Sequence, residues 1–182
     1  MQIGFKYYNC LNMSDKKLNN YAFIDSQNLN LGINKLNWKL DFRKFRVYLK
    51  EKYGVSSAYM FIGFLPENQD LYASLQKAGY ILIFKPVLFN NEKQPKGNVD
   101  ADLVLQTMIE FDNFNQAIIV SSDGDFYCLV KYLYEKGKLS RVISPDVKNC
   151  SRLLKKTAKE KIVFMDNLRN KLEYITKEKS TA

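Results

Sequence analysis

The chain has 182 residues, with 28 Lys and Arg against 19 Asp and Glu, for a net charge of +9. It has no histidine, which excludes Ser-His-Asp and Cys-His catalysis and any zinc site built on imidazole. Cys10, Cys128 and Cys150 lie far apart, lack zinc-ligand spacing and are odd in number, against a disulfide framework.

No apolar run approaches the roughly 20 residues of a membrane span. The segment Phe5–Leu11 is too polar for a signal peptide and lacks a small-residue cleavage site. A soluble, cytoplasmic protein without a membrane partner is expected. Residues 131–182 hold half of the Lys and Arg, which suggests a polyanionic partner, although Lys-rich surfaces also arise without one.

Taken in order, residues 1–20 read as a lead segment, 21–175 as one domain and 176–182 as a basic tail. Tyr21–Asp25 is a short apolar strand of central, parallel type. Residues 26–32 read as a polar loop with one helical turn. Asp41 caps a helix with Phe42, Phe45, Tyr48 and Leu49 on its apolar positions, and Gly54 ends it. Val55–Phe64 is a second strand. Pro66 opens a helix with Leu71, Tyr72, Leu75 and Ala78 on one face, closed by Gly79. Tyr80–Phe84 is a third strand, and residues 86–97 form a long polar loop, a candidate flap. Val99–Phe111 is helical, with Leu103 and Met108 inward and Asp100 and Asp102 in its first turn. A β-branched strand near 116–121 then runs into Asp123-Gly124-Asp125 and a helix over 126–136. Ser140–Ser144 is a fifth strand. Ser151 caps a basic helix through Lys159, Ile162–Met165 is a short edge strand, and a terminal helix starts at Asp166 or Asn167. This alternation of strands and helices implies an α/β fold with a parallel sheet and right-handed crossovers.

The first and fourth strands both end in aspartate. In a doubly wound order 3-2-1-4-5 they are neighbours at the topological switch point, where ligands bind. Asp25, Asp123 and Asp125 then converge, and Asp100 and Asp102 enter at the same sheet edge. Crowded carboxylates raise one another's pKa unless cations neutralise them, and an oxygen-only cluster selects Mg²⁺ or Mn²⁺. Asp-Gly-Asp is also ordinary turn chemistry, and acids in a helix's first turn also serve its dipole.

Tyr21-Ala-Phe-Ile-Asp-Ser-Gln-Asn28, Lys96-Gly-Asn-Val-Asp-Ala-Asp102 and Ile119-Val-Ser-Ser-Asp-Gly-Asp-Phe126 resemble, in order and separation, the three signature blocks of NYN domains. These are the LabA-like branch of the PIN-like metal-dependent nucleases. The resemblance implies a PIN-like three-layer α/β/α sandwich with a mainly parallel central sheet, Mg²⁺ or Mn²⁺ binding and RNA cleavage. It maps the acids onto Asp25, Asp100, Asp123 and Asp125, with Asp102 at an often acidic position, and the loop asparagine onto Asn28. Ser26 and Ser122 stand where the family often has glycine, and Asn98 lengthens the middle block by one residue.

The resulting expectation is a metal-dependent endoribonuclease. Asp25 is its central ligand, Asp100, Asp123 and Asp125 complete the site, and Asn28, Lys96 and Ser122 position substrate. Lys148, Arg152, Lys155 and Lys156, at helical spacing, track an RNA backbone, while Leu153 and Leu154 face the core. A silent nucleic-acid-binding or regulatory module of the same fold and a small-molecule phosphohydrolase are the alternatives. A homo-oligomer is left open. Tyr7, Tyr8 and Trp38 could stack on bases, but core or flank packing is the simpler role.

Overall fold

A computed structural model describes residues 18–86, 88–89, 95–96 and 99–175. The central sheet is formed by β1 (Asn20–Asp25), β2 (Val55–Phe64), β3 (Ile81–Pro86), β6 (Ala117–Val120), β7 (Leu139–Ser144) and β8 (Ile162–Phe164). All its pairings are parallel and its order is β3-β2-β1-β6-β7-β8. The switch point therefore falls between β1 and β6, whose register runs from Tyr21↔Ala117 to Ile24↔Val120. A separate antiparallel pair, β4 (Leu88–Phe89) with β5 (Pro95–Lys96), occupies part of the expected long loop. The side chains of residues 86–98, Lys96 included, lie outside the described residues, as do Cys10, Tyr7, Tyr8 and the basic tail.

Strand alternation builds a core on each face of the sheet. Ala22, Ile24, Ile118 and Val120 point to one side, where they meet Leu29 and Ile33 of α1 (Ser26–Lys35) and Phe45 and Leu49 of α2 (Phe42–Tyr53). Leu75 of α3 (Gln69–Lys77) and Leu172 of α7 (Arg169–Leu172) join this layer, as does the buried Trp38. Phe23, Ala117 and Ile119 point to the other side. There they pack on Leu103 of α4 (Asp100–Ile109), Leu129, Val130 and Leu133 of α5 (Tyr127–Glu135), and Leu154 and Ala158 of α6 (Arg152–Ala158). The result is the three-layer sandwich of PIN-like type. Among the described residues no helix is long and apolar enough to cross a membrane.

Several expectations are corrected. Residues 26–35 are a helix rather than a loop: Leu29, Gly32 and Ile33 share its buried face. Gly32 packs so closely that an added Cβ would lie 2.4 Å from Cβ of Pro145. Met108 and Leu71 face outward, because Thr107 and Tyr72 take the buried positions beside them. Leu153 is 45% exposed, so Leu154 and Ala158 alone supply the buried face of α6. That helix stops at Ala158, since Lys159 adopts φ +51°. Ser151 makes no side-chain capping bond. The capping of α2 is as expected: Asp41 accepts from the Arg43 and Lys44 N–H groups, and Gly54 ends the helix in the left-handed region.

Candidate metal centre

β1 passes into α1 without a linker, and Asp25 makes the junction. Its Oδ1 accepts the Asn28 N–H at 3.0 Å, capping the helix. Its Oδ2 accepts the Ser121 hydroxyl at 3.4 Å, across the β1–β6 boundary. Asp25 is only 5% exposed. Burial, and then the nearby Asp100 and Asp123 charges, push its pKa from 3.8 up to about 6 against the two hydrogen bonds.

On the β6 side, Ser121 Oγ also accepts the Asp123 N–H at 3.1 Å. Asp123 Oδ1 in turn accepts the Asp125 N–H at 3.0 Å, opening a 3₁₀ turn over Gly124–Phe126 that leads into α5. Gly124 sits close against Ser151: a Cβ would stand 2.5 Å from Ser151 Oγ, so that side chain would have to turn aside. Asp100 enters from the first turn of α4. Asp100, Asp123 and Asp125 each offer a carboxylate oxygen, and these oxygens lie within 4.8 Å of one another. Three helical starts thus meet at the cluster, and their positive ends offset part of its repulsion.

Asp25, Asn28, Asp100 and Asp123 line one crevice of about 260 Å³, with Gln27, Leu31 and Val99 completing it. Asp25 lies beside the trio, and each of its oxygens accepts one hydrogen bond, from Asn28 and from Ser121. Asn28 Oδ1 accepts both the backbone N–H of Ser122 at 2.9 Å and its hydroxyl at 2.8 Å, so the pair cross-braces the two strand ends. Asp102 leaves the cluster. Successive helical residues turn by roughly 100°, so two positions on from Asp100 it faces elsewhere. It pairs instead with Lys85 of β3 at 3.1 Å.

The basic face is also rearranged. Lys148, Arg152 and Lys156 are exposed. Lys155 Nζ donates to the Val147 carbonyl at 2.6 Å and lies 5.5 Å from the Phe164 ring centre. Lys159 and Lys161 both sit over the Tyr134 ring. The α6 start is fixed to the crevice by the Ser151 N–H, which donates to the Ser122 carbonyl at 3.0 Å. Ser121 is a site residue that sequence reasoning does not single out. Its signal is the one hydroxyl at the end of an apolar strand, immediately before Ser122 and Asp123.

An all-parallel sheet that gathers carboxylates at its switch point makes this an α/β/α domain with a candidate cation site. The NYN domain model matches residues 21–166, and the chain belongs to that family. Among solved structures, it is similar to a protein of unknown function, VPA0982, from Vibrio parahaemolyticus RIMD 2210633. The two share 22% identity over 88% of this chain and 99% of that one, with a TM-score of 0.72, a likeness of fold. A search of curated proteins returns no match.

Proposed function

We propose that this NYN domain is a divalent-metal-dependent phosphodiesterase that cleaves RNA internally. The observation that carries the reading is the convergence of Asp100, Asp123 and Asp125 within 4.8 Å beside buried Asp25. The donor set fits a hard cation. It is all oxygen, and Asp25, Asp123 and Asp125 form no ion pair with a described residue. Uncompensated carboxylates at this spacing are costly unless a cation joins them.

Asp100, Asp123 and Asp125 would hold Mg²⁺ or Mn²⁺, with Asp25 alongside. Such an ion, when bound, supplies Lewis acidity and draws the scissile phosphate to the crevice. The chain's own groups do the rest. Asn28 Oδ1 is spent on Ser122, which leaves its amide Nδ2 as the group that would donate to a phosphate oxygen in the crevice. Burial raises the pKa of Asp25 to about 6, so in the ion-free protein it binds a proton below that pH. Leu31 and Val99 give the crevice an apolar side. Lys148, Arg152 and Lys156 offer exposed charge for a polyanion, which favours a polymer over a small phosphate ester.

The test incubates purified protein with labelled single-stranded RNA, structured RNA and DNA in Mg²⁺, Mn²⁺ or chelator. Internal RNA cleavage that needs the ion is expected. Cleavage that persists in chelator overturns the metal reading, and binding without cleavage in either ion replaces it with a silent binding module.

A further inference from the structure

Next to the acidic crevice lies a second, larger cavity of about 360 Å³, within the usual range of small-molecule sites of about 300–1,000 Å³. Helix α1 is the partition between the two. Asn28 and Leu31, one helical turn apart, face the acids. Ser26 and Asn30 face the second cavity. Gln27 and Val99 line both. A group seated in the second cavity therefore lies one side chain away from the carboxylates.

The lining selects for a particular chemistry. Phe42 of α2, Ile62 of β2, Leu71 of α3 and Leu65 between β2 and α3 form its accessible apolar surface, over the buried Met60, Phe61 and Leu75. The side-chain amides of Gln27, Asn30 and Asn68 at its edge bond no other described residue. Among the described residues no carboxylate lines the cavity, and the one cation that does, Lys85, stands 3.1 Å from Asp102. A phosphate would find its counter-charge already matched. A purely apolar group would make no use of the amides, of which Gln27 and Asn30 are exposed and Asn68 half-buried. A flat heteroaromatic ring with a polar edge satisfies both surfaces.

We infer that this cavity is a subsite for one unpaired nucleobase flanking the scissile phosphate, an inference that rests on the phosphodiesterase reading of the acidic crevice. A base inside a duplex has neither its faces nor its edge free, and extruding it costs unstacking energy. The substrate is therefore single-stranded at the point of attack. Stacking against apolar walls tolerates any base, and the amide edge at Gln27, Asn30 and Asn68 sets the preference among them.

Two measurements on the full chain test this. In the first, adenosine, guanosine, cytidine and uridine are titrated in turn while the methyl NMR signals of Ile62, Leu65 and Leu71 are followed. At least one nucleoside is expected to shift them. Leu71→Trp, which fills the cavity from a half-exposed position, and Asn30→Leu, which removes an edge amide, should each suppress the shifts. In the second, an oligoribonucleotide carrying one abasic position, moved along the strand, is cleaved in Mn²⁺. At one position next to the cut, the abasic site should lower kcat/KM by about tenfold or more, as loss of one stacked base implies. Leu71→Trp should erase that sensitivity, and pairing the same position in a duplex should block cleavage. The inference is overturned if no nucleoside moves these methyls, if both variants retain the shifts, or if an active enzyme gives a flat abasic scan. If no RNA is cut in either ion while nucleosides still shift the methyls in wild type alone, the phosphodiesterase reading falls and the base site stands.

Discussion

The acidic crevice and the basic face of α6 are both visible as spacing in the sequence, yet the fold treats them differently. Each acid of the crevice is fixed by backbone: Asp25 caps α1, Asp123 caps the turn before α5, and Asp100 opens α4. The cations of α6 end on long, flexible stems and settle on whatever accepts them. Lys155 takes a carbonyl and Lys159, just past the helix end, an aromatic face, which leaves Arg152 and Lys156 to solvent. Short side chains at strand ends inherit their position from topology, whereas long ones on a helix face do not.

The sharpest way to break this comparison is at the trio. Asp123→Asn keeps the size of the cap while removing one anionic ligand. Ion-dependent cleavage should fall by at least about a hundredfold, since even residues that only support metal ligands cost about 10–100-fold. Activity within a few-fold of wild type would show that the ion is held elsewhere.

Asp25 gives the next largest effect, and on stability its sign is opposite to that of an ordinary paired carboxylate. Its folded pKa lies above the unfolded value, so the folded state binds more protons between pH 3.8 and about 6. Stability contributed by the protonated form is therefore lost as pH rises through that window, and the penalty is complete above it. The rise from 3.8 to about 6 corresponds to about 3 kcal/mol at most. Asp25→Asn retains a good cap and should raise the Tm of the ion-free protein at pH 7.5, with the gain vanishing near pH 3.5. Mn²⁺ should narrow the gap by stabilising wild type more. A thermal melt in chelator that shows the variant less stable at pH 7.5 would count against the buried charge.

The cationic face predicts a smaller effect, read in salt. Arg152→Ala with Lys156→Ala should flatten the log–log salt dependence of RNA binding by about 0.7 for each phosphate no longer neutralised. Lys155→Ala should leave that slope nearly unchanged and lower stability slightly, because its charge already serves Val147 and Phe164. An equal flattening per cation removed in both variants would place Lys155 on the RNA after all.

The smallest effect belongs to Asp102. Its pair with Lys85 involves side chains 32% and 44% exposed, so Asp102→Asn should cost no more than about 1 kcal/mol. Its Mn²⁺ dependence of cleavage should match that of wild type. A shift in metal requirement would return Asp102 to the cluster.

The legibility of the molecule follows the same division. Tyr21–Asp25 and Ala117–Val120 can be read as adjacent strands because short apolar runs ending in acids leave few alternatives in a parallel sheet. α1 cannot. Its sequence is rich in asparagine and glycine, poor helix formers, and the helix is specified by contacts far away in the chain, notably Gly32 against Pro145. The separation of Asp100 from Asp102 is available in principle, since residues two apart on a helix diverge by roughly 200°. The diversion of Lys155 is not, because the Val147 carbonyl and the Phe164 ring that receive it meet only in the folded chain.

The tight seating of Gly124 against Ser151 has one more consequence. It seats the turn that presents Asp123 and Asp125 on the Ser151 side chain at the start of α6, a junction that the Ser151 N–H also ties to the Ser122 carbonyl. Under the proposed function, a strand held at Arg152 would reach the acids over a span set by this junction rather than by a flexible loop.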